Sequence, residues 1–189
     1  MPARSPSRQQ IHDTLAVPHQ RDGQYTAIAT DPYLRRDDHP ALLCALGVLP
    51  DTPVIDPAVM AATLQDVQAN WDWNSVWGWD FPVMAMTATR LGRPDLAVDA
   101  LLMETGKNHY QPTGHCPQIG SLLPLYLPAN GALLTAVSLM AAGWDGHGVS
   151  TPGFPDDGTW NVRHEGFLPW PGTPHPHRPT PRTAPKATS

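Results

Sequence analysis

The sequence has 189 residues, of which only 15% are charged, against roughly a quarter in an average soluble protein. Its 17 Asp and Glu outnumber its 12 Lys and Arg and give a net charge of −5. Nucleic acids and anionic membrane surfaces are bound by clustered positive charge, so this composition argues against both partners.

The two cysteines belong to no recognisable metal or redox motif. Neither Cys44 nor Cys116 is part of a CxxC pair, so we expect no zinc ribbon, no metal and no cofactor. The sequence allows either a disulfide between these two cysteines or two reduced thiols, and we favour the thiols. Arg4 and Arg8 are not followed by the apolar segment of a signal peptide, which predicts a cytoplasmic protein.

A long uncharged stretch lies between Lys107 and Asp145. Pro124 and Pro128 interrupt it, and the apolar run 132–144 is shorter than the ~20 residues of a membrane-spanning helix. We therefore expect a buried helix in this region and no membrane span.

The chain divides into three predicted segments. Residues 1–36 show little apolar periodicity and are expected to be poorly ordered. Residues 169–189 contain seven prolines and are expected to form a disordered tail. The ordered domain is therefore predicted to span residues 37–168.

Within this domain, helix start and stop signals appear in order. A short helix is predicted over 41–46, between Pro40 and Gly47. Asp56 followed by Pro57 predicts the start of the next helix. One apolar stripe lies along that helix, made of Met60, Leu64, Val67 and Trp71.

The following two helices are expected to form an antiparallel hairpin. Asp80 is the predicted cap of the first of them, and Gly92 is its predicted end. Pro94 opens the second, and so short a link folds the two helices back on each other.

The last predicted helix begins at Asn130, its expected cap, and runs to about Trp144. Its positions are apolar or small nearly all round, which predicts burial on several sides. Only residues 159–163 have the character of a short strand. The predicted fold class is therefore all-α, built from helical hairpins joined by long loops.

The loop between the second and third predicted helices is the densest chemical signal. It carries four tryptophans, Trp71, Trp73, Trp77 and Trp79, together with Asp72, Asn74 and Asp80. Sugars need aromatic walls and a few convergent polar groups, so this loop predicts a carbohydrate site. The alternative is that the tryptophans are core residues and Asp80 only caps a helix.

Three further amides are candidates for hydrogen bonding to a sugar. Asn108 lies with Lys107 at the end of the fourth predicted helix, while Gln118 and Asn130 lie in or after the loop that opens the last helix. The alternative at the first position is a plain helix end, with Lys107 complementing the helix dipole.

Several short phrases occur together along the chain. They are Asp38-His39-Pro40, 46–50, 77–82, 90–92, 97–102, Lys107-Asn108, 126–128 and Asn130-Gly131. With them, residues 38–146 resemble the C-terminal part of bacterial six-hairpin, (α/α)6-toroid glycoside hydrolases. The resemblance covers a little over half of the chain. It extends to trehalase-like enzymes and to those of glycoside hydrolase families 65 and 95.

The resemblance implies part of an (α/α)6 toroid that hydrolyses glycosidic bonds with two carboxylates. Residues Pro128 and Ala129 stand where the fucosidases of family 95 have an Asp before Asn-Gly. The loop 114–118 lacks the catalytic Glu of trehalases. Six hairpins need well over 200 residues, so we expect an incomplete ring whose general acid comes from elsewhere.

Our interpretation is a glycoside hydrolase with carbohydrate as its substrate. Asp72 and Asp80 are the predicted catalytic residues, with Asp72 as the base and Asp80 holding hydroxyls or water. The predicted substrate-binding residues are Trp71, Trp73, Asn74, Trp77, Trp79, Asn108, Gln118 and Asn130. Two alternatives stay open: a non-catalytic carbohydrate-binding half-toroid or truncated pseudoenzyme, and a helical-repeat interaction protein. The expected partners are a missing N-terminal half or a second copy of the chain.

Overall fold

The computed structural model describes residue 7 and residues 18–50 and 52–172. In these ranges the protein is mostly helical, which confirms the all-α class. A two-stranded antiparallel hairpin, β1 (Gln20–Arg21) and β2 (Gln24–Tyr25), comes first. The helical elements then follow in the order 3-10 turn (Ala41–Leu43), α1 (Cys44–Gly47), α2 (Pro57–Asn70), α3 (Asp80–Arg90), α4 (Pro94–Leu102) and α5 (Leu127–Ala142).

Helix α3 is the centre of the fold. Its residues 80–89 are all buried, because the 3-10 turn with α1, helix α4 and helix α5 each pack against it. The buried hydroxyl of Thr89 donates to the carbonyl of Ala85 at 2.8 Å. That of Thr87 lies 2.9 Å from the carbonyl of Val83. Backbone carbonyls of the same helix thus satisfy these two buried hydroxyls.

The predicted α3–α4 hairpin is confirmed. Gly92 has a φ of +68°, a conformation that glycine adopts without a steric penalty. The amide of Gly92 donates to the carbonyl of Thr89 at 3.1 Å, and Pro94 opens α4. The chain therefore reverses within a few residues, and the two helices pack along each other.

Helix α2 begins as predicted and anchors the hairpin before it. The amide of Ala58 donates to the Asp56 carboxylate at 2.8 Å, and the apolar stripe faces the core. Tyr25 of β2 is buried against α2, where its amide donates to Thr63 Oγ1 at 2.9 Å. Poor order was expected for residues 1–36, but residues 20–25 form this hairpin. One buried aromatic residue, Tyr25, anchors it although the segment shows no apolar periodicity. Residues 1–6 and 8–17 of that segment lie outside the described residues.

Helix α5 corrects two predictions. It begins at Leu127, with Pro128 in its first turn, so Asn130 lies inside the helix and does not cap it. Proline suits an early helical position because its missing N–H has no helical partner there. The prediction that α5 is buried on several sides is also wrong within the described part of the chain. Helix α5 packs against α3, while Leu127 and Leu134 are 66% and 71% exposed.

The segment after α5 folds back onto the helices. The amide of Trp170 donates to the carbonyl of Gly143, and the amide of Asp145 donates to that of Trp170, both at 2.9 Å. The start of the predicted tail at 169 is therefore held to the domain. Residues 159–163 form turn and irregular structure, not the expected strand. The rest of the tail, residues 173–189, lies outside the described residues.

Within the ranges described, no helix has both the length and the apolar character needed to cross a bilayer.

Gly47→Ala is expected to destabilise the protein by about 1–3 kcal/mol, the usual range for overpacking. A Cβ at this position would lie 2.5 Å from Thr87 Oγ1 and 3.0 Å from the carbonyl oxygen of Val83, so α1 must move away from α3. The free energy of unfolding in urea measures the effect.

Gly131→Ala is the matched control. Gly131 lies in α5, and a Cβ on it would have open space with no atom within 4 Å, so alanine is expected to stabilise the helix by roughly 0.5–1 kcal/mol. Equal effects of the two substitutions would contradict the close α1–α3 contact.

Candidate functional site

The tryptophan-rich loop joins α2 to α3; Trp71 belongs to the core, and the half-buried Trp73 packs against it. Trp71 is 5% exposed, and its indole N–H donates to the carbonyl of Asp38 at 2.5 Å. Trp73 stacks on Phe81 with ring centroids 5.9 Å apart. Of the predicted substrate-binding residues, these two are therefore placed as packing residues.

Asp72 and Asn74 form a local turn. The Asp72 carboxylate accepts the backbone amide of Asn74 at 3.0 Å and its side-chain amide at 3.2 Å. The amide of Asp72 donates to the carbonyl of Arg36 at 2.9 Å. Both residues are exposed, and their hydrogen bonds serve the turn. The structure thus gives Asp72 a loop-forming role that the sequence pattern did not indicate.

Asp80 is the buried carboxylate of the loop, with a side chain 1% exposed. It is the first residue of α3 and the cap is Trp79, which corrects the predicted cap. The side chain turns back instead: Oδ2 accepts the amide of Trp77 at 2.8 Å and lies 2.7 Å from His39 Nδ1. The other oxygen, Oδ1, is buried and has no hydrogen-bond partner among the residues described.

Burial sets the electrostatics of this carboxyl group. It raises the pKa of Asp80, against the opposing effects of the Trp77 amide and His39, and the nearby Asp38 raises it further. The charge of Asp80 also adds to the burial that raises the pKa of Cys44 and of Tyr126.

His39 completes an aromatic cluster around Asp80. Its ring lies 4.8 Å from that of Trp79 and 6.3 Å, edge-on, from that of Trp77. Tyr126 contacts the ring of Trp77 at 4.9 Å between centroids. We call His39, Trp77, Trp79, Asp80 and Tyr126 the His39 cluster. Sequence reasoning missed His39, whose only signal was its place in the phrase Asp38-His39-Pro40.

Gln118 is buried and holds the loop in place. Its Oε1 accepts the amide of Gly78 at 2.9 Å, and its Nε2 donates to the carbonyl of Lys107 at 3.1 Å. A Cβ on Gly78 would lie 2.7 Å from the Cβ of Ala129, so only glycine allows this approach. The ammonium group of Lys107 lies 5.6 Å from the Trp77 ring centroid and donates to the carbonyl of Gln118 at 2.9 Å.

The other two predicted amides are also bound to backbone. Asn108 donates to the carbonyls of Leu101 and Met103, both at 3.0 Å, and so closes the end of α4. Asn130 donates to the carbonyl of Gly114 at 2.8 Å. Gln118 and Asn130 thus hold loop backbone near the His39 cluster, while Asn108 holds the end of α4.

The larger concavities lie away from this cluster. One of about 490 Å³ is formed by the end of α4 together with residues 103–106, Asn108 and His109, and one of about 320 Å³ lies beside the β-hairpin. Over the described part of the chain, no three His, Cys, Asp or Glu side chains gather closely enough to hold a metal ion. No family model, curated protein or solved structure matches the chain.

The Asp80 carboxyl is expected to titrate above the 3.8 of an unperturbed aspartate, because burial disfavours its charge. Asp157 is the internal control, since hydrogen bonds from Thr159 lower its pKa. A ¹³C NMR pH titration of the side-chain carboxyls measures both groups. Titration of Asp80 at or below Asp157 would contradict the buried site.

The same shift predicts a pH dependence of stability. Between 3.8 and the raised pKa of Asp80, the folded state binds more protons than the unfolded state. The contribution of Asp80 to the free energy of unfolding therefore falls as pH rises through that window.

Gln118→Ala is expected to lower the free energy of unfolding by about 1–3 kcal/mol, because the Gly78 amide and the Lys107 carbonyl lose their partner. Gln111→Ala, at an exposed position of the same loop region, is the control and should change stability little. Urea unfolding of the two variants measures the difference, and similar values for both would refute the structural role of Gln118.

Proposed function

We propose that the chain binds carbohydrate at the His39 cluster and forms the C-terminal part of an (α/α)6-toroid glycoside hydrolase. The observation that carries the proposal is the buried Asp80 carboxylate, joined to His39 between two partly exposed indoles. Aromatic walls with a few convergent polar groups are the usual composition of a small-molecule site.

The chemistry of the cluster fits a sugar. We propose that the exposed parts of the Trp77 and Trp79 rings meet the C–H faces of a pyranose, while the rest of Trp79 packs against the core. Tyr126 and His39 add groups that exchange hydrogen bonds with hydroxyls. The Lys107 ammonium near Trp77 supplies positive charge at the same edge.

The helical arrangement supports the toroid part of the proposal. Helices α3 and α4 form one antiparallel hairpin, which is the repeating unit of such a ring. Helix α5 packs against α3 and leaves Leu127 and Leu134 exposed. We propose that further hairpins, from a longer chain or a second copy, cover this surface.

Hydrolysis by this class of enzyme needs two carboxylates, about 6.5–9.5 Å apart in inverting enzymes. Asp80 is buried beside the proposed sugar site, and we propose that it acts on the sugar through His39. Asp72 uses only Oδ1 in its own turn, so we propose that the carboxylates that meet the glycosidic bond are Asp72, as the base, and a general acid from outside the described residues.

A non-catalytic carbohydrate-binding protein is the second candidate. The observation that favours it is the same turn at Asp72, which leaves Asp80 as the one buried carboxylate of the cluster among the residues described. Release of reducing sugar from a disaccharide panel separates the two candidates, since only the hydrolase produces it.

Trp79→Ala is expected to weaken saccharide binding at least tenfold, or about 1.4 kcal/mol, because it removes one wall of the cluster. Trp160→Ala is the control, since Trp160 is exposed and packs against Phe154, outside the cluster. Titration of a panel of mono- and disaccharides, followed by the indole N–H signals in ¹⁵N NMR, measures both. Failure of the wild-type chain to bind any saccharide would refute the proposal.

A further inference from the structure

We propose that His39 is the ligand-facing residue of the cluster, with Nε2 accepting a hydrogen bond from a sugar hydroxyl and Asp80 fixing the imidazole for that task. The proposal deepens the carbohydrate site proposed above and rests on it.

The tautomer follows from the hydrogen bonds at Asp80. Its Oδ2 accepts the amide of Trp77 and lies 2.7 Å from His39 Nδ1. A carboxylate oxygen can only accept hydrogen bonds, so the contact with His39 Nδ1 requires an N–H group on that nitrogen. The proton of the neutral imidazole is therefore placed on Nδ1, which leaves Nε2 with its lone pair free.

The position of Nε2 suits a ligand. The His39 side chain is 31% exposed, and the one hydrogen-bond contact of its ring within the described residues is at Nδ1, which leaves Nε2 without a partner there. The rings of Trp77 and Trp79 flank the imidazole. A sugar stacked on either indole thus brings its hydroxyls beside Nε2.

Both the imidazole ring and the backbone of His39 are held in place without a ligand. Asp80 holds the ring at Nδ1, from the start of the buried helix α3. The backbone is held by Trp71, whose indole N–H donates to the carbonyl of Asp38, and by Asp38, whose carboxylate accepts the amide of His39 at 2.8 Å. Such support fixes a binding group in its productive geometry.

Asp80 and His39 thus have different roles in the site. Asp80 is a positioning residue, because its carboxylate is buried and contacts His39 rather than solvent. His39 is the group that reaches the ligand. The aspartate was the conspicuous residue of the sequence, yet the histidine takes the exposed place.

His39→Asn separates positioning from binding. An asparagine amide N–H can take the place of Nδ1–H against Asp80, but it offers no group at the position of Nε2. We expect the variant to keep its fold, as judged by its NMR spectrum, and to lose saccharide affinity at least tenfold. His147→Asn is the control, because His147 stacks on Trp144 outside the cluster and should bind as the wild type does.

Long-range ¹H–¹⁵N NMR of the imidazole at neutral pH reads the tautomer directly. We expect Nδ1 to carry the proton in the wild type, and Asp80→Ala to yield a mixture of tautomers. A proton on Nε2 in the wild type would overturn the inference, as would unchanged saccharide affinity in His39→Asn. Absence of saccharide binding by the wild type would refute the carbohydrate site itself and this inference with it.

Discussion

One oxygen atom, Oδ2 of Asp80, joins two distant parts of the chain, the segment before α1 and the junction of the tryptophan-rich loop with α3. It accepts an amide of the tryptophan-rich loop, contacts His39 from the segment before α1, and belongs to the first residue of α3. A buried carboxylate is costly unless N–H groups compensate it. The desolvation of one group therefore requires the loop, the segment and the helix to meet at one place, and the aromatic cluster forms around that place.

The same principle runs through the rest of the fold. The buried hydroxyls of α3 are satisfied by helix carbonyls, and Gln118 links the Gly78 amide to the carbonyl of Lys107. Asn108 and Asn130 likewise donate to backbone carbonyls, at the end of α4 and in the loop at Gly114. Their N–H groups are thus used to hold loops that have little regular structure of their own. The partly exposed aromatic side chains and His39 remain as the groups that can meet a ligand, and this division is the basis of the carbohydrate site proposed here.

Much of the helical framework could be predicted, because its signals are local. Asp56 with Pro57 and the Gly92–Pro94 turn act through the backbone of neighbouring residues. The predictions of helix and strand boundaries failed where two local signals competed, or where the deciding contact joins residues far apart in the sequence. Pro128 starts α5 ahead of Asn130, and Tyr25 anchors the β-hairpin through a single contact with α2. The expected burial of α5 failed because a helix's composition does not reveal how many neighbours the chain provides for it.

For the candidate site, the sequence by itself determined the location but not the roles. It concentrated tryptophan and carboxylate in one loop between two helices. Tertiary structure alone decided that Trp71 enters the core with Trp73 packed against it, that Asp72 closes a turn and that Asp80 pairs with His39. That pair is separated by 41 residues, and whether an indole faces the core or the solvent depends on which surface packs against it. Neither property is encoded in local spacing, because both arise only when distant segments exclude water together.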